Sequence, residues 1–180
     1  MARTGEVIEN PGSGERMTFL VTAGDSGGAL LRCEYALRPG GWGPLLHVHP
    51  VQEESFEVLA GTARFRIGRQ ERTATAGECL VVPPHTAHTF ANAGDDELRL
   101  RIELRPALRM ERTFESIFAL ARAGRVSRKG FPHALDAALI ARECPDVAYA
   151  ARLPVGLQKV GIAALAAVAR SLGRRIPADG

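Results

Sequence analysis

Residues 47–61 read HVHPVQEESFEVLAG. Side chains alternate across a strand, so a His-x-His pair in extended chain turns both imidazoles, His47 and His49, to one face. Two neutral imidazoles on one face hold a metal ion when further donors converge on them. Otherwise they are two surface histidines on an exposed strand. The chain has only 5 histidines in 180 residues, so the rest of the sequence has to decide between the two.

Outward from that stretch, residues 17–104 break into short apolar runs separated by turn signals. MTFLVTA is followed by GDSGG, then by ALLRCEYAL and RPGGWGP. In TARFRIG, Ala63, Phe65 and Ile67 fall on one face and Arg64 and Arg66 on the other. In ELRLRIEL, residues 97–104, Leu98, Leu100, Ile102 and Leu104 face in, while Arg99, Arg101 and Glu103 face out. Many short alternating strands at this spacing predict an all-β sandwich or barrel. After Pro106 the period changes. Met110, Phe114, Ile117, Phe118 and Ala121 recur as on one face of an amphipathic helix, with Gly124 as its stop. Residues 133–143 predict a second, shorter helix. A third runs from about Leu157 to Leu172 and stops at Gly173. Its apolar residues, Leu165 and Val168 among them, surround it so fully that burial against the barrel or a second subunit is expected. The final RRIPADG is expected to fray. Residues 1–106 are therefore read as a β-barrel domain and 107–180 as a helical extension.

Composition narrows the function classes. A chain 46% hydrophobic and 24% charged is an ordinary globular one. The start has no apolar segment of a secretory signal, and the run VGIAALAAVA is too short to span a bilayer. A cytoplasmic location with no membrane partner is expected. The three cysteines, Cys33, Cys79 and Cys144, are odd in number and form no CxxC. This argues against a disulfide framework or a thiolate zinc site. Cys33 and Cys79 lie in apolar contexts and are expected to be buried thiols. Residues 1–104 hold 10 Lys/Arg against 14 Asp/Glu, and residues 105–180 hold 13 against 6. The basic residues form no cluster with interleaved aromatics, so they are read as solvated helix faces and no nucleic-acid partner is expected.

Widened, the opening stretch reads G-x5-H-x-H-x4-E-x6-G from Gly41 to Gly61. GECLVVPPHTAHTFAN, residues 77–92, reads G-x5-P-x-H-x2-H-x3-N. In order, and with 15 residues between Gly61 and Gly77, these resemble the paired motifs of the cupin superfamily, over roughly residues 17–104. The resemblance is to single-domain bacterial cupins, the quercetin dioxygenase-like ones among them. It implies a small antiparallel jelly-roll barrel with a metal inside its mouth. It implies ligands at His47, His49, Glu54 and His88; Glu53 competes with Glu54, but the x6 count to Gly61 favours Glu54. Three imidazoles and a carboxylate suit one divalent ion of Fe, Mn, Ni, Co, Cu or Zn. Phe56, Phe65, Val82 and Phe90 are candidate pocket walls. His85 replaces a motif glycine and is either a turn residue or a group near the metal mouth. Asn92 matches the motif's end.

A fold does not give a reaction. The four ligands favour a metal-dependent enzyme, with Glu54 as catalytic base and an oxygenase acting on a small organic substrate as the first expectation. A non-redox isomerase or polyketide cyclase is the second, and a non-catalytic small-molecule sensor the third. No helix-turn-helix precedes the barrel to support a sensor role. The helical extension resembles a lid, a barrel flank or a dimer contact, and a homodimer is expected.

Overall fold

The computed structural model describes residues 2–177. Two antiparallel sheets face each other. One is built from β1 (Val7–Asn10), β2 (Glu15–Val21), β3 (Leu31–Leu37), β5 (Glu53–Ala60), β8 (Cys79–Val82) and β10 (Leu98–Arg105), in the order β1-β2-β3-β10-β5-β8. The other contains β4 (His47–Val48), β6 (Thr62–Ile67), β7 (Gln70–Thr75), β9 (His88–Asn92) and β11 (Tyr149–Ala150), in the order β11-β4-β9-β6-β7. This is the jelly-roll arrangement expected, followed by α1 (Met110–Arg122), α2 (Ala134–Glu143) and α3 (Val155–Ser171). No described helix is long and apolar enough to cross a membrane.

Alternation places the core. Leu98, Leu100, Ile102 and Leu104 of β10 and Ala63 and Phe65 of β6 point between the sheets and are buried, with Phe19, Leu31, Cys33 and Phe56. Each large apolar side chain sealed here contributes about 1.5–3 kcal/mol. Cys79 corrects the sequence reading. In the run Cys79–Val82 burial alternates, with Leu80 and Val82 inward and Cys79 and Val81 exposed.

The barrel core runs on into the extension through Met110, Phe118, Cys144 and Val147, with Phe114 and Ile117 packed against it. Glu111 of α1 also accepts the Ala23 N–H at 2.9 Å. α3 packs on α2 through Ala166 and Ala169, beside Ala138 and Leu139. Of the two partners expected for it, the barrel core does not cover Leu165 and Val168, which are exposed in the single chain along with Leu157, Val160 and Leu172.

The RRIPADG end is anchored at Arg174. Asp136 of α2 is fully buried between the guanidinium groups of Arg125 and Arg174; Ala178–Gly180 lie outside the described residues. Burial acts to raise the Asp136 pKa, but hydrogen bonds and charge from Arg174 and Arg125 outweigh it and hold the carboxyl below its ordinary value of 3.8. A depressed carboxylate stabilises the fold above its unfolded pKa and loses that contribution as pH falls through the folded value. Asp136→Asn should therefore lower stability by roughly 1–3 kcal/mol near neutral pH, less than for a fully buried pair because both arginines are partly exposed. The gap to wild type should narrow as pH drops below 3.8. Denaturant midpoints across pH check this, and a pH-independent gap would reject the ion pair as its source.

Candidate metal centre

Register brings the donors together. β4 lies beside β9 with His47 opposite His88, and β5 turns Glu54 inward opposite Val82. Glu53, its neighbour on β5, faces solvent, so strand alternation settles which carboxylate enters the site. His49, Glu54 and His88 are 2%, 6% and 1% exposed, and His47 is half-buried at the rim. One donor atom from each of the four lies within 4.8 Å of all the others.

The motif glycines have physical reasons. Gly61 closes the β5–β6 turn at φ +78°, and a Cβ there would stand 2.8 Å from the Glu97 carbonyl oxygen. His85 occupies the position of a motif glycine and keeps its geometry, with φ +64°, a region where His is among the tolerated residues. The ring of His85 is exposed and lies outside the four-residue cluster; its main-chain N–H donates to the His49 carbonyl at 2.8 Å. Asn92 is structural, donating to the carbonyls of Leu37 and Asp96 and accepting the Gly94 N–H.

The hydrogen bonds show whether these residues suit an ion. Each ring uses Nδ1 on a main-chain carbonyl: His47 on Leu45 at 2.8 Å, His49 on Val147 at 2.6 Å and His88 on Thr86 at 2.9 Å. With the proton on Nδ1, each Nε2 offers a lone pair to the interior. The Nε2 atoms of His47 and His49 then face each other at 3.1 Å, and a cation between them, a metal ion or a proton, gives both a partner. Donors about 2.1 Å from an ion stand about 3.0 Å apart on adjacent octahedral positions. The 3.1 Å pair and the 3.3 Å between His49 Nε2 and Glu54 Oε2 match that spacing. The residues fit a divalent metal.

The charges agree. Burial, reinforced by the charge of His88, pushes His47 down to about 3, so it is neutral and ready to bind. Burial opposes ionisation of Glu54, yet hydrogen bonds and charge from His49 and His88 prevail and hold it well below the carboxylate range. Burial acts to lower the His88 pKa, but the Glu54 carboxylate, 2.6 Å from Nε2, outweighs it and raises it. A proton on His88 thus occupies the position a metal would take. The candidate wall residues Phe56, Phe65, Val82 and Phe90 are buried. The rings of Phe56, Phe65 and Phe90 lie 5.1–5.9 Å apart, and Phe56 is 6.3 Å from His88.

Two supports were not visible in the sequence. Gln52, fully buried between the His49 and Glu54 positions, donates to the carbonyls of Pro106 and Ala107 at 2.9 and 3.1 Å. It ties the ligand loop to the start of the extension. Val147 supplies a carbonyl to His49, and a main-chain carbonyl has no sequence signature.

Residues 33–104, from β3 to β10, match the family described as Cupin domain. That segment is a cupin domain and holds all four donors. An uncharacterized protein of Methanocaldococcus jannaschii is 29% identical over 65 residues, which are 36% of this chain and 52% of that protein; the match spans about half of the relative's length. Among solved structures, a predicted oxalate decarboxylase from Thermotoga maritima aligns with TM-score 0.51 and 20% identity over 59% of this chain and 98% of that one. A sugar phosphate isomerase from a cupin superfamily, from Silicibacter pomeroyi, aligns with TM-score 0.48 and 23% identity over 56% and 70%. At 20% identity the likeness to the Thermotoga maritima structure bears on the fold alone.

Proposed function

We propose that the chain is a metal-dependent oxygenase acting on a small, partly apolar, oxygen-bearing organic substrate. The observation that carries this reading is the convergence of three imidazole nitrogens and one carboxylate on rigid strands. Four protein donors leave positions open on a six-coordinate ion. Bound there, an ion of Fe, Mn, Ni, Co, Cu or Zn would supply Lewis acidity, and a redox-active one would also activate O2. The chain's own residues do the rest. His47, His49 and His88 present Nε2, their rings locked by carbonyls on Nδ1. Phe56, Phe65 and Phe90 keep water from the inner wall and suit an aromatic or enol-like substrate. Glu54, ionised and buried, accepts a substrate proton.

That carboxylate also favours a second reading. A held base beside a Lewis acid equally serves proton transfer next to a carbonyl, as in a non-redox isomerase or polyketide cyclase. Turnover of a panel of enolisable dicarbonyls and catechols by the Fe(II)- and Mn(II)-loaded protein, with and without O2, separates the two. Uptake of O2 in step with turnover is expected. Undiminished turnover without O2 would overturn the oxygenase reading and promote the other. Tight binding with no turnover of any compound would leave a sensor. The three free cysteines support placing the protein in the reducing cytoplasm.

A homodimer is part of this proposal. Leu157, Val160, Val168 and Leu172 of the α3 face are exposed, Val160 at 69%. They are spaced by three, eight and four residues, which is one side of a helix. α3 carries no acidic residue, and the excess acid of residues 1–104 complements the basic extension of a second copy. Val160→Glu should turn a dimer into a monomer by sedimentation velocity. A wild-type chain monomeric at every concentration would reject the interface.

A further inference from the structure

The three ligand rings differ in what steadies them. His47 and His88 donate Nδ1–H to carbonyls two residues away in their own segments. His49 donates to Val147, 98 residues further along the chain. Val147 lies in the turn between α2 and β11 and is 2% exposed. That turn is fastened at both ends. Tyr149 donates its hydroxyl to the Pro145 carbonyl at 2.6 Å, and Arg109 donates to the Glu143 carbonyl at 2.7 Å.

Beyond the turn, β11 runs along β4, with Tyr149 opposite Val48 and Ala150 opposite the ligand His47. The Ala151 N–H adds a bond to the Leu46 carbonyl at 3.3 Å. The outer edge of β11 is closed by one side chain. Gln158 of α3 accepts the Ala150 N–H at 2.9 Å and donates to the Ala150 and Leu153 carbonyls at 2.9 and 2.7 Å. Its amide stands where the peptide group of a next strand would stand.

An imidazole that binds an ion through Nε2 has to carry its proton on Nδ1, and the acceptor beside Nδ1 selects that tautomer. We propose that residues 144–151 form a strap that positions His49 for the metal centre. The Val147 carbonyl is the positioning group, and order in the strap and metal affinity are linked. This rests on the metal-centre reading given above. Linkage is reciprocal: an ion held by His49 tightens the strap by as much as the strap tightens the ion.

The test uses the full-length protein labelled with 15N. Long-range 1H–15N spectra of the metal-free chain report the tautomer of each histidine, and chelator competition reports the Zn(II) dissociation constant. Two variants move the strap: one with two glycines inserted between Pro145 and Asp146, and Gln158→Ala. Wild type should show His49 wholly as the Nδ1–H tautomer, and Zn(II) should slow hydrogen exchange at residues 148–151. The insertion should give mixed tautomers at His49, leave the His88 signals in place, and raise the Zn(II) dissociation constant about 10–100-fold. Gln158→Ala should move both readouts the same way by less. A wild-type His49 in the Nε2–H form would overturn the proposal. So would an insertion variant with unchanged tautomer and zinc affinity within about twofold. If the insertion melts the extension, seen as lost helical dichroism, Gln158→Ala decides, and unchanged His49 signals and affinity overturn the proposal. If wild type takes up no Zn(II), the metal reading falls separately, and the tautomer signals still decide whether Val147 positions His49.

Discussion

Replacing His49 with alanine is expected to cost the protein its metal. Apparent binding free energies of about 10–16 kcal/mol for four-ligand zinc sites put each donor at roughly 3 kcal/mol, about a hundredfold in affinity. Bound metal, measured by elemental analysis after purification without an affinity tag, should fall by about tenfold or more. The fold should survive. His49 stands among the ligand groups, 3.1 Å from His47 Nε2, and is not one of the apolar residues that make up the barrel core. Loss of metal with an intact near-ultraviolet spectrum would separate a ligand role from a packing role. Full metal occupancy in a His47→Ala, His88→Ala double variant would reject the site.

The second large effect is expected at Glu54. Reloaded with metal to full occupancy, Glu54→Gln should lose about 10²–10⁴ in turnover, the range that general acid–base groups contribute. Glutamine keeps an oxygen for the ion but cannot take up a proton at pH 7. The rings of His49 and His88 keep the carboxylate ionised despite its burial. Turnover and metal content have to be measured on the same sample, so that lost metal is not mistaken for lost chemistry. Full activity in the loaded variant would remove Glu54 from proton transfer and leave it as a ligand only.

The barrel was legible in the sequence wherever one strand face was apolar and the other charged, as in β6 with Arg64 and Arg66 or β10 with Arg99 and Arg101. Such patterns fix both the strand and its inward side. The metal ligands were legible because their spacings encode strand alternation and two tight turns. At Gly61 a side chain meets the Glu97 carbonyl, so the glycine that closes the motif is a steric demand. Legibility failed where every residue in a run was apolar. Nothing in CLVV says which of Cys79 and Leu80 is inside, and nothing in LAAVA says whether Ala166 or Leu165 meets α2. It failed again where main chain does the work. β11 has two residues, too few for any periodicity, and the acceptor for His49 is a carbonyl.

The fastening of His49 to Val147 also fixes when the site is completed. All four donors leave the ribosome before the residue that orients one of them. At about 5–20 residues per second, the 59 residues from His88, the last donor, to Val147 take roughly 3–12 s, and Gln158 follows later. A nascent barrel in that interval presents its donors with one ring free to turn and β4 uncovered. A metal ion bound before residue 147 emerges would be held without the Val147 contact on His49.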